Sequence, residues 1–148
     1  IRDEETAEMA IRSSLTGHLL LSTLHTNSAW GCITRLADMG VHPYLISETL
    51  IACVAQRLVR LLCPHCKSSS GKAAGCPQCH YTGYLGRKAI YEVIRIDASL
   101  SSAVRENARD VSGILRQKGV RTLRESAMAL YESGETSLEE IAPILNTM

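Results

Sequence analysis

Apolar positions at Ala7, Ala10 and Ile11, with Ser14 completing the i, i+3, i+4, i+7 series, alternate with charged residues over residues 3–14. That period predicts an amphipathic helix, and Asp3, Glu4 and Glu5 stand at its start, where negative charge meets the positive end of the helix dipole. Gly17 breaks the period, and residues 19–24 then read Leu-Leu-Leu-Ser-Thr-Leu, the near-continuous apolar run of a strand buried on both faces. We read this run as a buried parallel strand. Asn27 or Ser28 can cap a second helix whose apolar stripe is Ala29, Cys32, Ile33, Leu36 and Met39, closed by Gly40.

Pro43 near a helix start and the series Leu45, Ile46, Leu50, Cys53 and Val54 predict a third helix, running into an extended stretch at residues 58–62. From residue 63 to 86 the chain becomes rich in Cys, Gly, Ser and Pro, with Ser68-Ser69-Ser70-Gly71 at its centre. Such a segment cannot bury a core, so something else must order it. Residues 88–96 alternate again, with Ala89, Tyr91 and Val93 on one side and Ile90, Glu92, Ile94 and Ile96 on the other, as in a strand. Short helices follow, punctuated by Asp110, Gly119 and the capping boxes Thr122…Glu125 and Ser137…Glu140.

The 148 residues carry 16 Lys+Arg against 15 Asp+Glu, a formal net charge of +1, which excludes a generally basic nucleic-acid binder and an acidic disordered tail. No apolar run approaches the roughly 18 to 20 residues of a membrane span. The start Ile1-Arg2-Asp3-Glu4-Glu5 has neither the basic n-region nor the apolar core of a signal peptide, and we expect the chain to be a fragment.

Four of the six cysteines form two pairs of one form, Cys63-Pro64-His65-Cys66 and Cys76-Pro77-Gln78-Cys79. A Cys-x-x-Cys turn presents two thiolates to one ion, and two such turns supply the tetrahedral sulfur set of a structural zinc. Redox dithiols or coincidental turns are the alternatives, and a redox pair is ordinarily single and set at a helix N-terminus. His65 or His80 can stand in for one thiolate. Cys32 and Cys53, on apolar faces, read as buried small hydrophobes.

The expected strand at 19–24 places His25, Thr26 and Asn27 at its carboxyl end, where α/β sheets gather ligands. His25 can donate to a phosphate oxygen, with Thr26 and Asn27 orienting it or a water. Equally, Thr26 and Asn27 can cap the next helix and His25 can be structural.

The runs Ser14-Leu15-Thr16-Gly17-His18, Ser22-Thr23-Leu24-His25-Thr26-Asn27, Thr34-Arg35-Leu36-Ala37-Asp38-Met39-Gly40 and Ala55-Gln56-Arg57-Leu58-Val59-Arg60, followed by the cysteine pairs and Gly83-Tyr84-Leu85-Gly86-Arg87, resemble the type II secretion and type IV pilus assembly ATPases. The likeness is to the secretion and pilus-extension branch and extends to about Glu132. It implies an α/β fold: the C-terminal part of a RecA-like P-loop ATPase core over residues 1–62, a four-Cys zinc lobe over 63–87, and a strand with a small all-helical end domain over 88–148. It implies a cytoplasmic homo-hexamer, peripheral to the inner membrane through platform proteins, that uses ATP and Mg²⁺ to move pilin-like subunits, with no nucleic-acid partner and no transmembrane segment.

The resemblance also assigns roles. His18 and His25 become the family's histidine box, with His25 sensing the γ-phosphate and His18 supporting it, while Thr26, Asn27 and Arg57 contact nucleotide. Arg57 can equally reach the neighbouring subunit or be a salt-bridged surface residue. Cys63, Cys66, Cys76 and Cys79 hold the zinc. The family's Lys-Ser/Thr P-loop and catalytic Glu are absent from these residues, since the one Gly-Lys pair is Gly71-Lys72, so the chain by itself is expected to be inactive. Trp30 departs from the family pattern and reads as a subunit contact or a core filler; His42 stands where an acid is common. The rival reading is a zinc-ribbon module that binds nucleic acid or protein through Arg57, Arg60, Lys67, Lys72, Arg87 and Lys88.

Overall fold

The computed structural model describes residues 1–68 and 73–146. The chain runs α1 (Glu4–Leu15), α2 (Gly31–Asp38), α3 (Pro43–Thr49), β1 (Ala52–Leu62), a 3₁₀ turn at Pro77–Cys79, β2 (Tyr84–Arg95), α4 (Ala98–Arg105), α5 (Ser112–Gln117), α6 (Leu123–Glu132) and α7 (Leu138–Leu145). The two strands form one sheet. At one end Ile96 N–H donates to Ile51 C=O (2.9 Å) and at the other Cys63 N–H donates to Gly83 C=O (2.9 Å), so the pair is antiparallel.

Two compact units emerge, each built from two separated stretches: Ile1–Ala55 with Val93–Val120, and Gln56–Glu92 with Arg121–Met148. In the first, α3 contacts α1, α2 and α4. Its core is Ala7 and Ile11 of α1, Ile33 and Leu36 of α2, Ile46 of α3, and Leu100, Ala103 and Val104 of α4, all buried. Burying one such aliphatic side chain is worth about 1.5–3 kcal/mol. The helix ends follow the sequence: Asp3 Oδ1 accepts from Thr6 N–H (2.8 Å), His42 Nδ1 accepts from Tyr44 N–H (3.2 Å), and Gly40 turns the chain after α2 at φ +89°. Trp30 is a core residue, its indole N–H donating to Ala108 C=O (3.2 Å).

In the second unit α6 packs on α7 through Leu123, Ala127, Leu130 and Ile141. Residues 135–136 lie along the end of β1, where Leu62 N–H donates to Glu135 C=O (2.8 Å) and the buried Thr136 hydroxyl donates to Arg60 C=O (2.8 Å).

Two expectations are corrected. Residues 19–24 are not a buried strand: they carry no strand assignment, and Leu19 and Leu21 are 79% and 89% exposed. A strand exists only through hydrogen bonds to a neighbour, and among the described residues the sheet contains β1 and β2 alone. The third helix ends at Thr49, and Cys53 and Val54 belong to β1. There Cys53, Ala55 and Val59 are buried while Ala52, Val54 and Leu58 face outward, a period of two fixed by pairing with β2. The Ser69-Ser70 tract and the Gly71-Lys72 pair lie outside the described residues.

Candidate metal centre and histidine segment

The apolar run of β1 ends at Leu62, and the chain enters the cysteine lobe through Cys63, whose N–H is held by Gly83 C=O. An isolated bridge between Lys67 and Ala73 closes the first half of the lobe. The second half turns on Pro77–Cys79, after which His80 and Tyr81 take left-handed backbone (φ 51° and 61°). Glycine is required at two places. A Cβ on Gly75 would lie 2.8 Å from Tyr81 C=O oxygen, and one on Gly83 would lie 2.5 Å from Ala73 Cβ, with both glycines at positive φ.

This folding brings all four expected thiols together. Cys63, Cys66, Cys76 and Cys79 Sγ atoms lie within 4.8 Å of one another, with separations of 3.9 Å (Cys63 to Cys76), 3.8 Å (Cys66 to Cys79) and 3.8 Å (Cys76 to Cys79). A tetrahedral ion at a Zn–S distance of about 2.3 Å needs sulfur–sulfur edges of about 3.8 Å. The cluster therefore fits a tetrahedral metal ion, and it is far too open for disulfides. His65 and His80 do not join it.

The thiols are electrostatically distinct. Burial raises Cys66 to about 12. Burial also opposes ionisation at Cys79, but N–H groups of Cys76 and Gly83, each 3.2 Å from its sulfur, outweigh that and lower it to about 6. Backbone donors thus prepare one thiolate in the lobe. Cys53, as expected of a core thiol, is buried, and its pKa is raised by a hydrogen bond with Cys32 and by burial; Cys32 is half-buried.

The histidine segment is laid out differently. His18 follows α1, its Nδ1 3.1 Å from Thr16 Oγ1 and 3.2 Å from Ser13 C=O, so it ties down the turn at Gly17. His25 is exposed in the extended segment before α2, with Asn27 exposed beside it. Thr26 is half-buried: its hydroxyl donates to Ser28 C=O (3.1 Å) and lies 3.5 Å from Cys32 Sγ. The N-cap of α2 is Trp30, without a side-chain cap, rather than the expected Asn27 or Ser28; the Ser28 hydroxyl still accepts from Gly31 N–H (3.1 Å) at the first turn. Arg57 belongs to the second unit, in β1, where its guanidinium donates to Gln56 C=O (2.9 Å).

A family model described as "Type II/IV secretion system protein" matches residues 1–143. The chain belongs to that family. It is 46% identical over 146 residues to the type II secretion system protein HxcR of Pseudomonas aeruginosa, covering 95% of this chain and 31% of that protein. It is 40% identical over 169 residues to the type IV pilus assembly ATPase TfpB of Acinetobacter baylyi, covering 98% of this chain and 29% of that protein. Among solved structures, the pilus retraction motor PilT with bound ADP superposes with a TM-score of 0.74 at 26% identity, covering 99% of this chain and 38% of that one. The expected α/β class, with its tetracysteine cluster and helical end, is thus the fold of this type II/IV secretion system protein. It spans about a third of the length of the curated relatives it matches.

One feature of this family member was hidden in the sequence. Glu140, expected to reach back to Ser137 in a capping box, instead accepts from Arg60 N–H (3.0 Å) and Arg60 Nε (2.8 Å). Only the hydroxyl half of that box forms, Ser137 Oγ accepting from Glu140 N–H (3.2 Å), whereas Thr122 and Glu125 form both halves. The Arg60 guanidinium lies 4.2 Å over the Tyr84 ring, and the Tyr84 hydroxyl meets Ser137 Oγ at 2.6 Å. The partners are 80 residues apart, and a charge-assisted pair outcompetes a local cap. Among the described residues no helix is long and apolar enough to cross a membrane.

Proposed function

We propose that this chain is part of a homo-hexameric ATPase that powers type II secretion or type IV pilus assembly, working at the cytoplasmic face of the inner membrane against platform proteins. The observation that carries this reading is identity of 40 to 46% over nearly the whole chain to proteins named for type II secretion and as a pilus assembly ATPase. In this reading residues 1–62 complete a RecA-like core, 63–87 are a zinc lobe and 88–148 a strand with the helical end domain.

Zinc is the ion that best suits four thiolates with edges of 3.8 to 3.9 Å, and a set with no open position makes it structural. The exposed His25 senses the γ-phosphate of ATP bound with Mg²⁺, His18 supports the turn before it, and Thr26, Asn27 and Arg57 take part in nucleotide contact. The chain alone does not turn over ATP, because the phosphate-cradling loop and catalytic Glu are contributed by other residues of the motor.

The test is His25→Ala in the intact motor. A charge-assisted hydrogen bond to phosphate is worth about 1.5–3 kcal/mol, so ATPase activity should fall roughly 10- to 100-fold while the protein stays folded. Unchanged turnover would remove His25 from the mechanism, and turnover by the pure 148-residue chain would overturn the division of the active site.

A further inference from the structure

A cavity of about 520 Å³ in the second unit is lined by Arg60, Thr82, Tyr84, Gly86 and Arg87. Its neutral donors are already engaged: the Thr82 hydroxyl donates to Cys79 C=O (2.6 Å) and the Tyr84 hydroxyl pairs with Ser137. Arg60 is locked between the Glu140 carboxylate and the Tyr84 ring. Arg87 is exposed and, among the described residues, its side chain makes no hydrogen bond or ion pair, although its field helps to hold the Glu140 carboxyl down. The neighbouring acid Glu135 is taken by Lys88 at 2.7 Å.

Arg60 is thus committed to Glu140, whereas the Arg87 side chain is paired with no acid among the described residues. A carboxylate can balance that guanidinium. The mouth is open on the Gly86 side, where a Cβ would meet nothing within 4 Å. Small-molecule ligands lose about 70–90% of their surface in an enclosed site. An open, half-exposed pair of arginines suits instead a side chain delivered from another protein's surface, read by bidentate hydrogen bonds.

We propose that the Arg60–Arg87 pocket receives an aspartate or glutamate side chain of a partner protein. This holds independently of the nucleotide reading, since it uses none of the residues assigned to ATP. The test follows the arginine Nε–H resonances of the full ¹⁵N-labelled chain during titration with N-acetyl tetraglutamate amide. Expected are saturable shifts at Arg87 and Arg60 that weaken with added salt, and an affinity about fivefold lower in Arg87→Gln, whose backbone amide spectrum otherwise matches the parent. Absence of a saturable shift, or equal affinity in Arg87→Gln, overturns the proposal. Larger shifts with orthophosphate, or with phosphatidylglycerol vesicles at equal anionic charge, overturn it in favour of a phosphate ligand.

Discussion

Replacing Cys76 by Ser should cost the chain its cysteine lobe while leaving the first unit folded. Cys76 Sγ sits 3.9 Å from Cys63 and 3.8 Å from Cys79, two of the three sulfur–sulfur edges that a ligand at this corner would share. Among the described residues between 63 and 83, the buried apolar side chains are Cys63 and Cys79, both in the thiol cluster proposed to hold zinc, so little else holds the lobe. A structural zinc contributes about 10–16 kcal/mol of apparent binding energy in zinc-finger peptides, or about 3 kcal/mol per thiolate if shared equally, which is roughly a hundredfold in affinity. The assay is competition for zinc against a chromophoric chelator, run beside limited proteolysis of residues 64–82. Trp30, the chain's single tryptophan, lies in the first unit and should keep its native emission. Zinc affinity and protease resistance equal to those of the parent would refute the assignment of Cys76 as a ligand.

Glu140→Gln should destabilise the second unit by about 1–2 kcal/mol at neutral pH, because it removes a charge-assisted partner of a half-exposed arginine. Burial pushes the Glu140 carboxyl up, but the Arg60 side chain and N–H more than offset it and hold it below its ordinary value of 4.5. A depressed carboxyl stabilises the fold above the unfolded pKa and loses that contribution as pH falls through the folded one. The difference between variant and parent in urea unfolding should therefore be full above about pH 5 and shrink below it, and a pH-independent difference would refute the argument. Gly83→Ala should weaken zinc binding in the same chelator assay, since its Cβ would overlap Ala73 at a φ of +76° and displace the N–H that bonds Cys79 sulfur. Parent-like affinity in that variant would show that the lobe relaxes around the added methyl.

Much of the helical framework was legible from local chemistry. Asp3, Gly40, Pro43 and the Thr122…Glu125 box mark ends that the structure reproduces, because caps act over three or four residues and need no distant partner. The apolar stripes of α1 and α2 likewise name their buried faces. The alternation on β2 was correct too, with Ile90, Glu92 and Ile94 facing inward. The errors share one cause, which is dependence on partners remote in the chain. Residues 19–24 have strand composition without a paired neighbour among the described residues, and β1 begins earlier than its helical-looking period implied because Ile96 pairs with Ile51. The division into two units was illegible for the same reason, since each joins stretches separated by dozens of residues.

The cysteine spacing alone selected the four thiols that cluster, because a Cys-x-x-Cys turn fixes its own two thiols and two such turns can supply a tetrahedral set. Tertiary structure decided which thiolate is prepared, through the N–H groups of Cys76 and Gly83 at Cys79. It also decided that Glu140 leaves its local cap for Arg60, and that Arg60 and Arg87 line one pocket. Local bonding is written in consecutive residues, whereas the balance of charges in a cavity depends on which distant side chains the fold makes neighbours.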